Sequence, residues 1–169
     1  MLDKATHRTR GDRVAAFIEK YCVVPSGDLT GKPMVLEDFQ RRFLCDVYDN
    51  PYGTRRAYLS LGKKNGKTAL ISAIILAHLA GPEARANTQI VSGAQSRDQA
   101  GIVFDLAHKM IDLSPILSKV VRVVPSGKRL IGVARNVEYR ALSAEAKTAH
   151  GLSPVLAILD EVGQVQGPH

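Results

Sequence analysis

The sequence predicts an α/β domain whose mainly parallel central sheet is flanked by helices, and three observations carry this. Apolar segments with strand character alternate along the chain with segments of helical spacing, as in sheets built from strand–helix–strand units. The run Val155-Leu156-Ala157-Ile158-Leu159 is apolar without interruption, as expected of a parallel strand buried on both faces. A glycine-containing loop at 62–66 separates the apolar segment 56–61 from a long apolar helix, giving the strand, loop and helix order of such units.

Taken in order, residues 1–11 are polar and basic without periodicity and are expected to form a flexible arm, with the domain proper spanning 12–169. Asp12 is placed to cap a helix from Arg13 to about Cys22. Pro25-Ser26-Gly27-Asp28, followed by Gly31 and Pro33, reads as a loop. Leu36, Phe39, Phe43 and Val47 recur at helical spacing and predict a helix over 35–49, which Asn50-Pro51-Tyr52-Gly53 ends. Arg56 to Leu61 reads as a strand, and residues 67–80 as a helix apolar enough to be covered on more than one side. A second strand is predicted at Thr88–Ser92. Ser96-Arg97-Asp98-Gln99 then has capping-box spacing for a helix bearing Val103, Phe104, Ala107, Met110 and Ile111. Short strands follow at 120–124, 129–133 and 137–142, the first two joined by Pro125-Ser126-Gly127-Lys128.

The length of 169 residues suits one domain with a substantial core. With 45% hydrophobic and 23% charged residues the composition is globular, which excludes a wholly disordered or fibrous chain. The apolar run 69–77 is too short to span a bilayer, and no apolar signal core follows the basic N-terminus, so an intracellular protein is expected. Cys22 and Cys45 match no metal-ligand spacing and are read as ordinary thiols. A net charge of +7 favours contact with a polyanion such as nucleic acid, although the basic residues are scattered and form no dedicated arm.

The chemistry concentrates in Gly62-Lys63-Lys64-Asn65-Gly66-Lys67-Thr68. A phosphate loop sets such a turn between a strand and a helix, so that backbone N–H groups and the helix N-terminus surround phosphates while a lysine reaches the outer ones. Here Gly66 permits close backbone approach, Lys67 would bind the β- and γ-phosphates of ATP, and Thr68 would offer its hydroxyl to Mg2+. The ATP-contacting stretch is read as Lys63, Lys64, Asn65, Gly66, Lys67, Thr68 and Ala69. The first glycine of the strict pattern falls on Leu61, with Gly62 one place late.

The far end supplies the second half of a site. Asp160-Glu161 ends the apolar run 155–159, and ligands of open parallel sheets bind at the carboxyl edge of their strands. Asp160 is placed to hold the metal and Glu161 to polarise the water that attacks the γ-phosphate. Together these marks point to a P-loop nucleoside triphosphatase of the RecA-like type. Gln40, near the apolar stripe of its helix, needs a polar partner; a carboxamide satisfies the donor and acceptor of an adenine edge, and reaching water is the alternative.

These residues resemble the large terminase subunits of tailed bacteriophages, specifically their N-terminal packaging ATPase domain. The resemblance runs from about residue 33 onward. It rests on Leu36-Glu37-Asp38-Phe39-Gln40, the Lys63–Thr68 loop, Gly93-Ala94-Gln95-Ser96-Arg97-Asp98-Gln99-Ala100, and Gly151-Leu152-Ser153-Pro154 leading into Asp160-Glu161. It implies an Mg2+-dependent ATPase that drives double-stranded DNA through a portal protein into a procapsid. Such a motor works as a ring of subunits with the small terminase subunit, in the cytoplasm of the infected host, and is absent from the mature virion. By the same resemblance Gln40 contacts adenine, Lys67 and Thr68 the phosphates and Mg2+, Asp160 the metal, and Glu161 the attacking water. Relatives often carry an arginine where this chain has Lys63, and lysine lacks the bidentate fork of an arginine finger. Arg97 is a candidate arginine acting from a neighbouring subunit, with surface salt bridging as the alternative. A coupling motif and a nuclease domain are expected to be missing from this chain, so no nuclease activity is expected of it. Lys147, Thr148 and His150 are read as a polar loop with possible DNA or nucleotide contact.

Three other readings share these features. A helicase-like DNA translocase would use the same core but needs a second motor domain. A small-molecule phosphotransferase would put a substrate pocket where Asp160-Glu161 stands. A basic DNA-binding module with a vestigial loop would bind DNA without turning over ATP.

Overall fold

The computed structural model describes residues 9–62, 65–94, 97–143 and 153–160. Helix α1 (Arg10–Tyr21) begins three residues earlier than the sequence predicts. The true cap is Thr9, whose hydroxyl accepts from Asp12 N while the Asp12 carboxylate accepts from Thr9 N, so Asp12 closes the box from inside the first turn. Gly11 is buried where α1 crosses α2: a Cβ there would sit 2.8 Å from Cys45 Cα.

Helix α2 (Asp38–Tyr48) is shorter than the predicted 35–49, because Met34 to Leu36 belong to the extended segment leading into it. Its buried positions are Gln40, Leu44 and Tyr48, one step round the helix from the predicted stripe, and Phe39 lies 42% exposed. Helix α3 (Lys67–Ala80) matches its predicted bounds, and every residue from Ser72 to Leu79 is buried, as its uniformly apolar sequence requires.

Strands β1 (Gln89–Ala94), β2 (Val121–Val124), β3 (Arg129–Gly132), β4 (Val137–Ser143) and β5 (Leu156–Leu159) form one sheet in the order β2-β3-β4-β1-β5. β1 pairs in parallel with β4 and β5, while β2, β3 and β4 run antiparallel in turn. Helix α4 (Arg97–Leu113) and the short α5 (Leu117–Val120) connect β1 to β2. Along β3 and β4 the buried residues Leu130, Gly132, Val137 and Tyr139 alternate with half-exposed ones, so one sheet face packs under α3 and α4. The sheet approaches α3 closely at Gly132, where a Cβ would run into the Leu79 carbonyl oxygen.

Two expectations are corrected. Residues 56–61 form no strand: the segment pairs with nothing in the described sheet, and Tyr58 is 83% exposed. A strand is defined by its ladder, and apolar alternation alone does not supply one. β5 is not buried on both faces. It is the edge strand of the described sheet, with Leu156 and Ile158 half-buried and Ala157 and Leu159 exposed.

Candidate active site

The parallel strands β4, β1 and β5 all point their carboxyl ends at one edge, and the chain brings its chemical residues there. Asp160 follows β5 directly, and its N–H still bonds Gly93 O of β1 at 3.3 Å, so the carboxylate is carried on the sheet itself. Facing it is the start of α3. Gly66 is the N-cap residue with φ +69°, a left-handed conformation that favours glycine. The first helical bond of α3 runs from Leu70 N to Gly66 O at 2.9 Å, so the N–H groups of Lys67, Thr68 and Ala69 lie at the open, electropositive end of the helix.

The two halves meet. Lys67 Nζ lies 3.1 Å from Asp160 Oδ1, with side-chain exposures of 31% and 17%. Residues 67 and 160 are 93 positions apart in the chain, and the fold joins them at the sheet edge. Behind the loop, Ser72 Oγ reaches Thr68 O at 2.9 Å and Val103 O at 3.1 Å, which ties the first turns of α3 to α4.

Gln40 completes the cluster. Its Oε1 accepts from Glu37 N at 3.0 Å, closing the cap of α2, and this aims Nε2 at the loop, 3.5 Å from where a Cβ on Gly66 would stand. A carbonyl oxygen keeps a second lone pair and the amide its N–H groups, so a ligand can still be read by both. Thus Gln40, Gly66, Lys67, Thr68, Ala69 and Asp160 share one edge. Asn65 is exposed beside Gly62. Lys63, Lys64, Glu161, Lys147, Thr148 and His150 lie outside the described residues, and Arg97 opens α4 after β1.

Sequence reasoning missed a buried polar network at the other end of α2 and α3. The Tyr48 hydroxyl and His78 Nε2 are hydrogen-bonded at 2.9 Å, and the guanidinium of Arg10 lies 5.2 Å from the centre of the Tyr48 ring. Arg10 also forms a bidentate ion pair with buried Glu83, one arm of it 2.8 Å from Nε to Oε1. Burial pushes His78 down to about 4 and raises the Tyr48 phenol, so both are neutral near pH 7. For Glu83 burial works to raise the pKa, but the hydrogen bonds and charge of Arg10 outweigh it and the carboxyl is lowered. One signal was available: a histidine in an otherwise apolar buried helix has to find a partner. Cys22, pushed up to about 12 by burial, is an inert thiol as expected.

A strand edge carrying an acid, opposed to a glycine-capped helix that begins Lys-Thr, defines a P-loop nucleotide-binding domain. The comparisons with known proteins go further. Residues 38–168 match the terminase large subunit, ATPase domain, family, and this chain belongs to it. It is 65% identical over 160 residues to the terminase large subunit of Enterobacteria phage HK97, which covers 95% of this chain and 32% of that protein. Its fold matches the crystal structure of the HK97 bacteriophage large terminase with a TM-score of 0.88 and 63% identity, over 96% of this chain and 33% of that one. The chain therefore spans about a third of the length of these relatives.

Proposed function

We propose that this chain binds ATP with Mg2+ at the carboxyl edge of its sheet and hydrolyses it, and that the cycle drives double-stranded viral DNA through a portal into a procapsid. The observation that carries the reading is the 3.1 Å approach of Lys67 to Asp160, since it unites the phosphate lysine with the acid of the strand end. The packaging role rests on membership of the terminase family. A ring of such chains, with the small terminase subunit, would act on the portal in the host cytoplasm.

In this reading the first-turn amides of α3 and the Lys67 ammonium hold the β- and γ-phosphates. Gln40 reads the adenine edge. The Thr68 hydroxyl and the Asp160 carboxylate are hard oxygen donors, and the edge already accommodates a cation, the Lys67 ammonium, against that carboxylate. This suits Mg2+, which keeps waters and phosphate oxygens among its ligands and neutralises charge on the phosphates. Glu161 takes a proton from the water whose oxygen attacks the γ-phosphorus, while the bond to the bridging oxygen breaks and ADP leaves. Lys63 adds charge beside the γ-phosphate without a fork, and Arg97 of a neighbouring subunit would supply one.

The experiment is ATP hydrolysis and Mg-ATP binding by the wild type, Lys67→Ala and Glu161→Gln, with and without double-stranded DNA. Both variants lose hydrolysis and Glu161→Gln keeps binding. Turnover at the wild-type rate by Glu161→Gln removes it as the base, and unchanged nucleotide affinity in Lys67→Ala removes the phosphate reading.

A further inference from the structure

Helices α2 and α3 meet at two places. At the site end, Gln40 of α2 abuts Gly66, the cap of α3, with Nε2 3.5 Å from a Cβ built there. At the far end, eight residues along α2, Tyr48 is hydrogen-bonded at 2.9 Å to His78 in the last turn of α3. Between them α1 packs on both helices and sends Arg10 over the Tyr48 ring and onto Glu83, which lies just past α3. The far-end contact is buried and fully partnered: Tyr48, His78 and Glu83 are each under 10% exposed, and no buried side-chain polar atom among the described residues lacks a partner.

We propose that Tyr48 is a positioning residue for nucleotide selection, holding α2 through His78 so that the Gln40 carboxamide stands at the base-binding side of the phosphate loop. This rests on the reading of Gln40 as the adenine contact. The geometry gives that contact a narrow tolerance. Adenine offers a ring acceptor beside an amino donor, and guanine offers two acceptors, so the carboxamide discriminates only when both of its ends face the base edge. Gln40 Oε1 is already fixed by Glu37 N at 3.0 Å, so the side chain cannot follow an error in the helix by swinging freely. The carboxamide then moves as α2 moves. Where α1 packs on both helices, Tyr48 and His78 add the direct side-chain tie of α2 to α3, which at eight residues from Gln40 acts at the end of a lever about 12 Å long.

The test is the dissociation constant of Mg-ATP and of Mg-GTP, measured by calorimetry, for wild type, Gln40→Ala, Tyr48→Phe, His78→Leu, the Tyr48→Phe/His78→Leu pair and His78→Gln. Gln40→Ala should abolish the preference for ATP. Tyr48→Phe and His78→Leu should each weaken ATP about fivefold, the worth of one hydrogen bond, while GTP stays within about twofold. The double variant should match either single one, and His78→Gln, which keeps a partner for the Tyr48 hydroxyl, should restore the ATP preference. A merely structural role lowers the melting temperature and the active fraction but leaves the ATP to GTP ratio unchanged. That unchanged ratio in Tyr48→Phe and His78→Leu, with Gln40→Ala having lost it, overturns the proposal and leaves the base reading standing. An unchanged ratio in Gln40→Ala overturns both. Should Tyr48→Phe fail to fold, His78→Leu decides, and failure of both to fold assigns the contact to stability alone and overturns the proposal.

Discussion

Acid should destabilise this protein through His78 before it reaches Glu83. Burial lowers the imidazole from 6.5 to about 4; nearby Glu83 pulls it upward, and Arg10 and Arg85 push it down. The folded pKa lies below the unfolded one, so between those values the unfolded chain binds the proton and the folded chain does not. The stabilisation is therefore complete above about pH 6.5 and is lost as the pH falls toward 4. The shift corresponds to about 3 kcal/mol in full, of which about 2 kcal/mol is gone at pH 5. Glu83 adds its own loss only below its ordinary value of 4.5, so between pH 7 and 5 the difference between wild type and a His78 variant reads this histidine. The assay is urea denaturation at half-unit steps across that span, for wild type and His78→Gln. The wild type should lose about 2 kcal/mol more than the variant between pH 7 and 5. Equal slopes for the two proteins would refute the argument that the buried imidazole resists protonation.

Three further outcomes follow from close contacts. Gly66→Ala has room, since its Cβ would stand 3.5 Å from Gln40 Nε2, but not the φ of +69°; it should cost about 1 kcal/mol in thermal denaturation and weaken Mg-ATP by about tenfold. Glu83→Gln removes the buried end of the Arg10 pair, whose other end is 40% exposed, and should cost about 2 kcal/mol by urea titration while leaving the site chemistry in place. Gly132→Ala drives a Cβ into the Leu79 carbonyl oxygen, a backbone atom that cannot swing aside, and should cost about 3 kcal/mol or block folding outright, seen as loss of the cooperative transition.

How far the fold could be read from the sequence depended on whether a feature was local. Helix α3 was legible to the residue because Gly66 and Gly81 bracket an uninterrupted apolar run. The β2–β3 hairpin was legible from Pro125-Ser126-Gly127. The strand at 156–159 and its parallel pairing were legible, whereas residues 56–61 and the burial of β5 were misjudged because pairing and edge position are settled by other parts of the chain. The same division holds at the site. Gly66, Lys67 and Asp160 were singled out by motif, and the fold brings them together; His78 in an apolar helix signalled that it needed a partner, but Tyr48 could not be named as that partner because it lies 30 positions away and belongs to no motif. Helix α1 shows the local case failing by a small margin: Thr9 and Asp12 both have capping chemistry, and the box uses them together.

The Lys67 to Asp160 contact also bears on how the proposed site would take up nucleotide. In the function proposed above, an ammonium 3.1 Å from a carboxylate at the sheet edge divides its charge and its three donors between that carboxylate and phosphate, so Asp160 competes with phosphate for Lys67. On that reading ATP alone would work against the pair in wild type, whereas ATP arriving with Mg2+ would bring a cation for the carboxylate in exchange. Asp160→Asn removes the competitor for Lys67 and the repulsion toward phosphate, at the expense of the metal contact. The two nucleotide forms should therefore respond in opposite directions. ATP in EDTA should bind Asp160→Asn up to about fivefold tighter than wild type, the upper range for a partly exposed ion pair, and Mg-ATP should bind it more weakly. Calorimetry with and without Mg2+ reads both. Weaker binding of metal-free ATP by the variant would mean that Asp160 supports the phosphate site rather than competing for Lys67, and the competition argued from this contact would fall.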